Sequence, residues 1–522
     1  MKNKKLFYYL ILIITLLNFF TTFTGIDFTD TFWHINTARY YFTHSSLETE
    51  FEKAVLSIQI ENSFLNNFSK RINFHYLSSL LVYHIYDFVG FNLWIVRVIT
   101  FIILLFIFYF PSANKNINYK IFSLLIFNCF SIFNFNILSF DLFTIIISYF
   151  IISLINKNKY SNITLISIAI ILCMSYLVRF QNFALIPLTF IFLNNKIPFK
   201  KNFLVHIPSI LFFTYLYFYI EFFDISHKTS VTEHSFNKIL NSNLTDLPHF
   251  ILFLFIFIFI NKLNDKNNKS FLIFIFSFVI MISFISEEYH WKHSLFISSF
   301  FITTIFFNES KFLENLKIVP FLFIFPLGSA TGLYKLVYSL TLFPILISNF
   351  TKTYKLKSKF FFLSILPFCL YAKAFYNYED IGARHAYHSI DHFGLKYIFT
   401  SKTRSDYIKN VQNKIHELQK EGYYILIGGA KSHVFNYINN FTPITVEFYQ
   451  QDLEKSFFSK LLTNYNFDKI AYFHFDNYPE WNDNSVSNLE HDLLNLGFVY
   501  NQKLNFDFLT LDNIQRTQDL SI

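Results

Sequence analysis

The chain has 522 residues, of which 53% are hydrophobic and 15% charged, against about 25% charged in an ordinary soluble domain. With 76 Phe, 10 Gly and 11 Pro, its composition excludes a disordered, collagen-like or disulfide-scaffold protein. Apolar runs of about 20 residues recur too often for a soluble enzyme to hide, and the net charge of +8 suggests nucleic acid only until the lysines are placed.

The chain opens MKNKK and continues as an apolar run from Leu6 to Thr24. That run is long and lacks a small-residue cleavage site, so it reads as a first membrane span rather than a signal peptide. Further spans are expected near 93–112, 119–137, 139–155, 162–178, 180–193, 203–221, 248–262, 270–286, 294–308, 317–328, 333–350 and 359–375. The segments between them fall into two classes. Lysine-rich connections at 114–120, 156–159, 194–201, 261–269, 308–317 and 351–359 alternate with segments at 25–92, 137–141, 222–247, 286–293 and 328–332 that carry the acids and histidines. Such alternation is what the positive-inside rule gives for about thirteen spans with a cytoplasmic N-terminus. A further span at Phe74–Phe88 would break it, so that stretch reads as an interfacial helix anchored by Tyr76, Tyr83 and Tyr86. The basic surplus is therefore a topology signal, and no nucleic-acid partner is expected. Cys129, Cys173 and Cys369 lie inside apolar runs and imply no disulfide framework.

Beyond about Tyr376 the chain turns polar. Helices near 403–420, 451–464 and 486–496 alternate with strands near 423–428, 443–448, 469–474 and 497–511, a pattern that predicts a small α/β domain. The expected architecture is a polytopic α-helical membrane domain over 1–375, including a long outer loop at 25–92, followed by an extracytoplasmic α/β domain over 376–522.

The outer loop begins GIDFTDTFWHINTARYYF. Asp27 and Asp30 follow the first span closely, beside Trp33, His34 and Arg39, and carboxylates at a membrane boundary are costly unless paired or used. On a helix, Asp30 would share one face with both His34 and Asp27. The bland alternative is a juxtamembrane helix capped by Asp30 or Thr29.

The order of these pieces resembles the GT-C membrane glycosyltransferases, among them protein O-mannosyltransferases and lipid A aminoarabinose transferases. The matching pieces are Asp27 and Asp30 in GIDFTDTFWH, the interfacial helix at 74–90, and Gly90, Trp94 and Arg97 in GFNLWIVR. SFDLFT at 139–144, YLVRFQNFALIPL at 176–188 and PLGSATGL at 326–333 also match, so the likeness spans most of 1–375. One departure is Thr31, which stands where members often carry a second acid directly after the loop aspartate.

The resemblance implies an inverting transfer of a sugar from a polyprenyl-phosphate donor to a cell-envelope acceptor, at the outer face of the cytoplasmic (inner) membrane. It implies Asp30 as general base, with Asp27 as a second carboxylate. Such chemistry needs a base for the acceptor hydroxyl and cationic or dipolar groups for the departing phosphate. Arg97 and Arg179 sit in or at the end of spans, where a guanidinium is expensive and usually paired or functional, and each offers a bidentate fork to phosphate. The alternative for each is snorkelling to headgroups or a structural ion pair.

Asp141 is expected to line the same cavity, together with His34. Lys228 lies in the loop that family members fold over the donor. Gly328, Ser329 and Thr331 form a small-residue turn whose backbone N–H groups would approach a phosphate, although a tight turn explains them equally. His385, His388, Asp391 and His392 have near-helical spacing but no zinc signature, and Gly428-Gly429 lacks the spacing of a phosphate loop. No metal ligands are assigned. Family members with and without a divalent cation exist, and the spacing does not choose between them. The competing readings are an oligosaccharide polymerase or ligase of envelope biosynthesis, a transporter, and a non-catalytic scaffold.

Overall fold

The computed structural model describes residues 2–26, 32, 35–36, 39, 49–61, 76–110, 117–130, 140–155, 159–179, 182, 185–194, 196–219, 366, 376–377, 380–381, 386–429, 431–441, 451–475, 493–503 and 506–512. Most of the segments expected as spans after 248 lie outside them. Contacts divide the chain into two units, and the division differs from the expected cut at 375/376. One unit is Met1–Thr22, Asn73–Ser78 and Ile99–Ala374; the other is Phe23–Ile72, Ser79–Val98 and Phe375–Ile522.

The first unit is helical. Among the described residues, one helical stretch, Lys4–Phe23, is long and apolar enough to cross a membrane, and shorter apolar helices occupy Leu93–Tyr109, Leu142–Ile155, Asn162–Val178 and Leu185–Asn194. Helix α1 (Lys2–Phe20) packs on the helix Ile117–Phe130 through a buried polar ladder. Asn18 Nδ2 donates to Asn128 Oδ1 at 3.2 Å, and Asn128 Nδ2 donates to Thr15 Oγ1 at 2.8 Å. An apolar helix can bury such groups only when each finds a partner. The helix Asn162–Val178 starts at Ser161, whose side chain accepts the N–H of Thr164, the usual N-cap arrangement. It packs on Phe199–Tyr219, where Tyr176 meets Phe212 and Phe213.

The second unit is built on a four-stranded sheet. Its strands are Tyr424–Gly428, Lys469–His474, Val499–Lys503 and Phe506–Asp512. The strand Lys469–His474 pairs parallel with Tyr424–Gly428 on one side and antiparallel with Phe506–Asp512 on the other; Val499–Lys503 completes the edge as a hairpin partner. The stretch expected as one strand at 497–511 is thus two. The helix Lys402–Lys420 buries Tyr407, Ile408, Val411, Ile415 and Leu418, the i, i+3/i+4 stripe of a helix lying on a sheet. It starts at Ser401, which accepts the Arg404 N–H, and it ends at Gly422, whose φ of +87° suits a residue without a Cβ.

The first loop contributes to this core. A helix at Glu50–Glu61 carries Phe51, Ala54, Val55 and Ile58 at helical spacing. Phe51, Val55 and Ile58 join one buried cluster with Leu426, Phe458, Ile470, Tyr472 and Leu509 of the sheet and its helices. Phe51 stacks on Tyr424 with centroids 4.6 Å apart. The helix opens with a reciprocal cap: Glu52 N–H donates to Thr49 Oγ1 and Thr49 N–H donates to Glu52 Oε2, both at 3.1 Å. This is the T-x-x-E capping box, a pattern visible in the sequence at Thr49–Glu52 although no helix was expected there.

Candidate functional site

The expected site residues are unevenly placed. Asp27, Asp30, His34, Lys228, Gly328, Ser329 and Thr331 lie outside the described residues, and for Asp141 only the backbone is described, in the helix Phe140–Ile155. Arg97 belongs to the second unit and Arg179 to the first. Both guanidinium groups are enclosed by protein, with Arg97 4% and Arg179 3% exposed. A side chain that snorkels to a headgroup reaches the protein surface; these two do not.

Arg97 is held by a tight chain reversal. The helix Tyr76–Phe88 ends in a Schellman motif: Phe91 N–H donates to Tyr86 O at 2.7 Å and Gly90 N–H to Asp87 O at 3.0 Å. Gly90 takes a φ of +63°, a left-handed conformation that a side chain makes costly by about 1–2 kcal/mol. This is the local reason for a glycine at the head of GFNLWIVR. The next helix, Leu93–Tyr109, then begins at once, and its first turn presents Trp94 edge-on to Tyr397, with centroids 5.6 Å apart. Arg97 follows one turn later, with Nη1 3.5 Å from Thr24 O.

Thr24 is the start of the approach to the acidic segment. Gly25 N–H donates to Phe399 O at 2.8 Å, which joins this strip of chain to the short hairpin of His388–Ser389 with Phe399–Thr400. Arg404 Nη1 then donates to Ile26 O at 3.0 Å in a buried setting. Two buried guanidinium groups, Arg97 and Arg404, therefore meet the backbone immediately before Asp27. Arg404 had no sequence signal: KTRS at a helix start reads as an ordinary solvated turn.

Beyond the acids the chain is held again. Phe32 is fully buried, with its ring 5.0 Å from that of Tyr437. Asn36 Nδ2 donates to His433 O at 2.7 Å. Arg39 Nη1 donates to Tyr437 O at 3.2 Å, and its guanidinium lies 4.1 Å from the centre of the Phe91 ring, a cation–π contact. Tyr437 in turn donates its hydroxyl to Phe91 O. Burial pulls the Arg39 guanidinium below its ordinary value, with Tyr437 and Tyr83 opposing. Burial also pushes the Tyr437 hydroxyl up, with Arg39 opposing. The phenol therefore stays protonated and keeps its donor role.

In the first unit, Arg179 ends the helix Asn162–Val178 in an extended conformation (φ −159°, ψ 128°). Its backbone N–H donates to Ser175 O. Asn182 closes the turn: its N–H donates to Arg179 O, and its Nδ2 reaches Ser175 O at 3.0 Å and Thr144 Oγ1 at 3.3 Å. The Arg179 turn is thus tied to the first turn of the helix that carries Asp141. Asn182 and Thr144 are both fully buried, and neither stands out in the sequence; the N in RFQN and the T in FDLFT are too common to be singled out.

Among the described residues no group of three or more His, Cys, Asp or Glu is arranged to hold a metal ion. His388 lies in the hairpin and His392 follows it. Burial and the neighbouring His416 lower the His392 pKa, and Asp391 partly opposes them. Gly428 and Gly429 close the strand Tyr424–Gly428 into a helix of only seven residues, His433–Asn439. Comparison with family models, with curated proteins and with solved structures gives no match.

Proposed function

We propose that this chain is an integral membrane glycosyltransferase that moves a sugar from a polyprenyl-phosphate donor to an envelope acceptor at the outer face of the cytoplasmic membrane. The observation that carries the reading is the pair of buried guanidinium groups, Arg97 and Arg404, held against the backbone that leads directly into Asp27 and Asp30. A buried cation is retained at a cost.

The outward faces of the helical unit also support it. Leu6, Leu10, Ile13, Leu16, Leu17 and Phe20 are all more than half exposed on one helix, as are Ile163, Ile166 and Ile170 on another. Single exposed apolar residues are normal, but contiguous apolar faces of this extent are not left in water. A bilayer provides the solvent that suits them.

In the proposed reaction Asp30 takes the proton of an acceptor hydroxyl as its oxygen bonds to the anomeric carbon from the face opposite the donor phosphate. The bond between that carbon and the phosphate oxygen breaks, and the polyprenyl phosphate departs with the electron pair. Arg97 stabilises its growing negative charge. The reaction requires access from lipid for the donor and from water for the acceptor.

The test uses the full chain in nanodiscs with a panel of undecaprenyl-phosphate hexoses and undecaprenyl-phosphate aminoarabinose, and reads release of undecaprenyl phosphate in the presence of an envelope extract. Asp30→Asn is expected to lower the rate by about 10²–10⁴-fold, the usual contribution of a positioned base. Retained turnover in that variant, or cysteine labelling that places 25–73 on the cytoplasmic side, overturns the reading.

A further inference from the structure

We infer that one end of the helical unit is a docking surface for anionic phospholipid, with the headgroup phosphate met by Lys200 and Lys201 and the acyl chains lying along the outward face of the helix Phe199–Tyr219. This rests on the reading that the unit stands in a bilayer, and not on which reaction the chain performs.

The helices Phe140–Ile155, Asn162–Val178, Leu185–Asn194 and Phe199–Tyr219 pack on one another within this unit. At one end their connections are tied together. Lys196 Nζ donates to Ile155 O at 2.7 Å, and Tyr160 donates its hydroxyl to the same carbonyl. The start of the last helix is fixed as well: Asn202 Nδ2 donates to Phe190 O at 2.9 Å, and Asn202 N–H to Pro198 O at 3.0 Å. Lys196 thus serves the fold, since it caps an orphan carbonyl at a helix end. Lys159, Lys200 and Lys201 stand exposed at the same end.

Nothing nearby in the chain balances their charge. The stretch 142–219 contains no Asp or Glu, and Asp141 lies at the far end of its helix from Ile155. Lys200 and Lys201 occupy the first turn of their helix, where positive charge opposes the helix dipole. Helix stability therefore does not account for them, and an anion from outside relieves their repulsion.

A soluble phosphate would satisfy the charge alone; the surface below the lysines suits a lipid. Asn202, His206 and Ser209 of this helix are buried, whereas Phe199, Phe203, Leu204 and Leu211 are exposed. Polar side chains inside and apolar ones outside reverse the pattern of a helix on a water-soluble core. Lys200, Leu204 and Leu211 share one face at helical spacing, so an apolar track begins directly beneath an ammonium group. The Phe199 and Phe203 rings stack on that helix with centroids 6.4 Å apart. The neighbouring helix repeats the layout: Lys159 precedes it, and Ile163, Ile166 and Ile170 are exposed along it. Cations at the head of an apolar track match the two parts of a phospholipid, its charged headgroup and its chains.

Photolabelling of the full chain in phosphatidylcholine nanodiscs tests this. One sample is doped with phosphatidylglycerol that carries a diazirine in its acyl chain, the other with the matching phosphatidylcholine, and labelled peptides covering 199–211 are quantified. A lysine near an anionic lipid surface contributes about fivefold in binding. The phosphatidylglycerol probe is therefore expected to label these peptides about fivefold more than the phosphatidylcholine probe, or better. Lys200→Gln and Lys201→Gln together should bring the two probes to parity, while Lys200→Arg and Lys201→Arg keep the charge and should keep the preference. Amide exchange in Asn162–Val178 should be alike in all three chains, which separates a lost lipid contact from a lost fold.

Parity in the parent chain, or a preference that survives the Gln pair, overturns the inference. So does a preference abolished by inorganic phosphate but not by chloride at matched ionic strength, which would mark a site for soluble phosphate. If the Gln pair does not fold, the parent preference and the phosphate competition still decide. Peptides that neither probe labels would remove this face from the bilayer, and the membrane reading would fall with the inference. Unaltered turnover in Asp30→Asn beside a selective phosphatidylglycerol label would sink the glycosyltransferase reading and leave the lipid surface standing.

Discussion

The two units differ in how far along the chain the partners of their buried polar groups lie. Among the described residues of the helical unit, several buried hydroxyls bond back one turn: Thr15 to Ile11 O, Ser175 to Leu172 O, Thr189 to Leu185 O and Ser209 to His206 O. In the unit built from the first loop and the sheet, the decisive bonds cross the whole chain. Arg404 to Ile26, Asn36 to His433 and Arg39 to Tyr437 join residues 378, 397 and 398 positions apart. In the proposed bilayer, helices with apolar outer faces have no water to fall back on, so buried donors are met within the turn or by a neighbouring helix. In the other unit the described residues of the first loop pack on elements far along the chain, and polar groups there are met by whatever lies against them.

The largest expected effect tests whether the first loop truly belongs to the sheet. Phe51→Ala removes a ring enclosed by Tyr424, Phe467 and the sheet core, at a cost of about 3–5 kcal/mol. Hydrogen exchange should rise through Tyr424–Gly428 and Lys469–His474 and leave Asn162–Val178 unchanged. An equal response in that helix would mean that the units do not behave separately.

A smaller effect is expected inside the helical unit, where Asn128→Leu removes the acceptor of Asn18 Nδ2 and one of the two bonds of Thr15 Oγ1. Leaving buried polar groups unsatisfied costs about 1–3 kcal/mol. The loss should appear as a lower Tm in nanodiscs, with exchange rising in Lys2–Phe20. A Tm equal to that of the parent chain would show that this ladder adds nothing to the helix pair.

The smallest effect concerns acid sensitivity, expected in the sheet unit near His392. Its folded pKa is lowered by burial and by His416, against Asp391, and the Gly394 N–H donates to its Nδ1 at 3.3 Å, which suits the neutral ring. The unfolded chain therefore binds the proton more readily. Stability should be intact above the ordinary value of about 6.5 and decline as pH falls from there through the lowered folded value. His392→Gln should flatten this part of the profile; an unchanged slope between about pH 7.5 and 5.5, the range around that ordinary value, would assign the sensitivity to another group.

Parts of this were open to reading in the sequence. The apolar period of Lys402–Lys420 is strong enough to announce a helix with one buried face, and the cost of a guanidinium in an apolar run marked Arg97 and Arg179 before any contact was seen. The glycine in GFNLWIVR could have been read further, since a glycine right after a helix end is the usual mark of a left-handed cap. Other parts had no local trace. One strand was expected at 497–511, whereas Val499–Lys503 and Phe506–Asp512 pair with each other, Lys503 opposite Phe506. A short apolar run does not say where it turns.

The sequence by itself marked helices such as Asn162–Val178 and Lys402–Lys420, and marked Arg97 and Arg179 as costly cations, because propensity, periodicity and desolvation act on neighbours within a few turns. Only the tertiary structure decided that Phe51, Val55 and Ile58 belong to the core of a sheet far along the chain, and that Arg404 meets Ile26 O and Tyr437 meets Phe32. Those choices depend on which surfaces meet when the chain closes on itself, and no residue carries a mark of its distant partner.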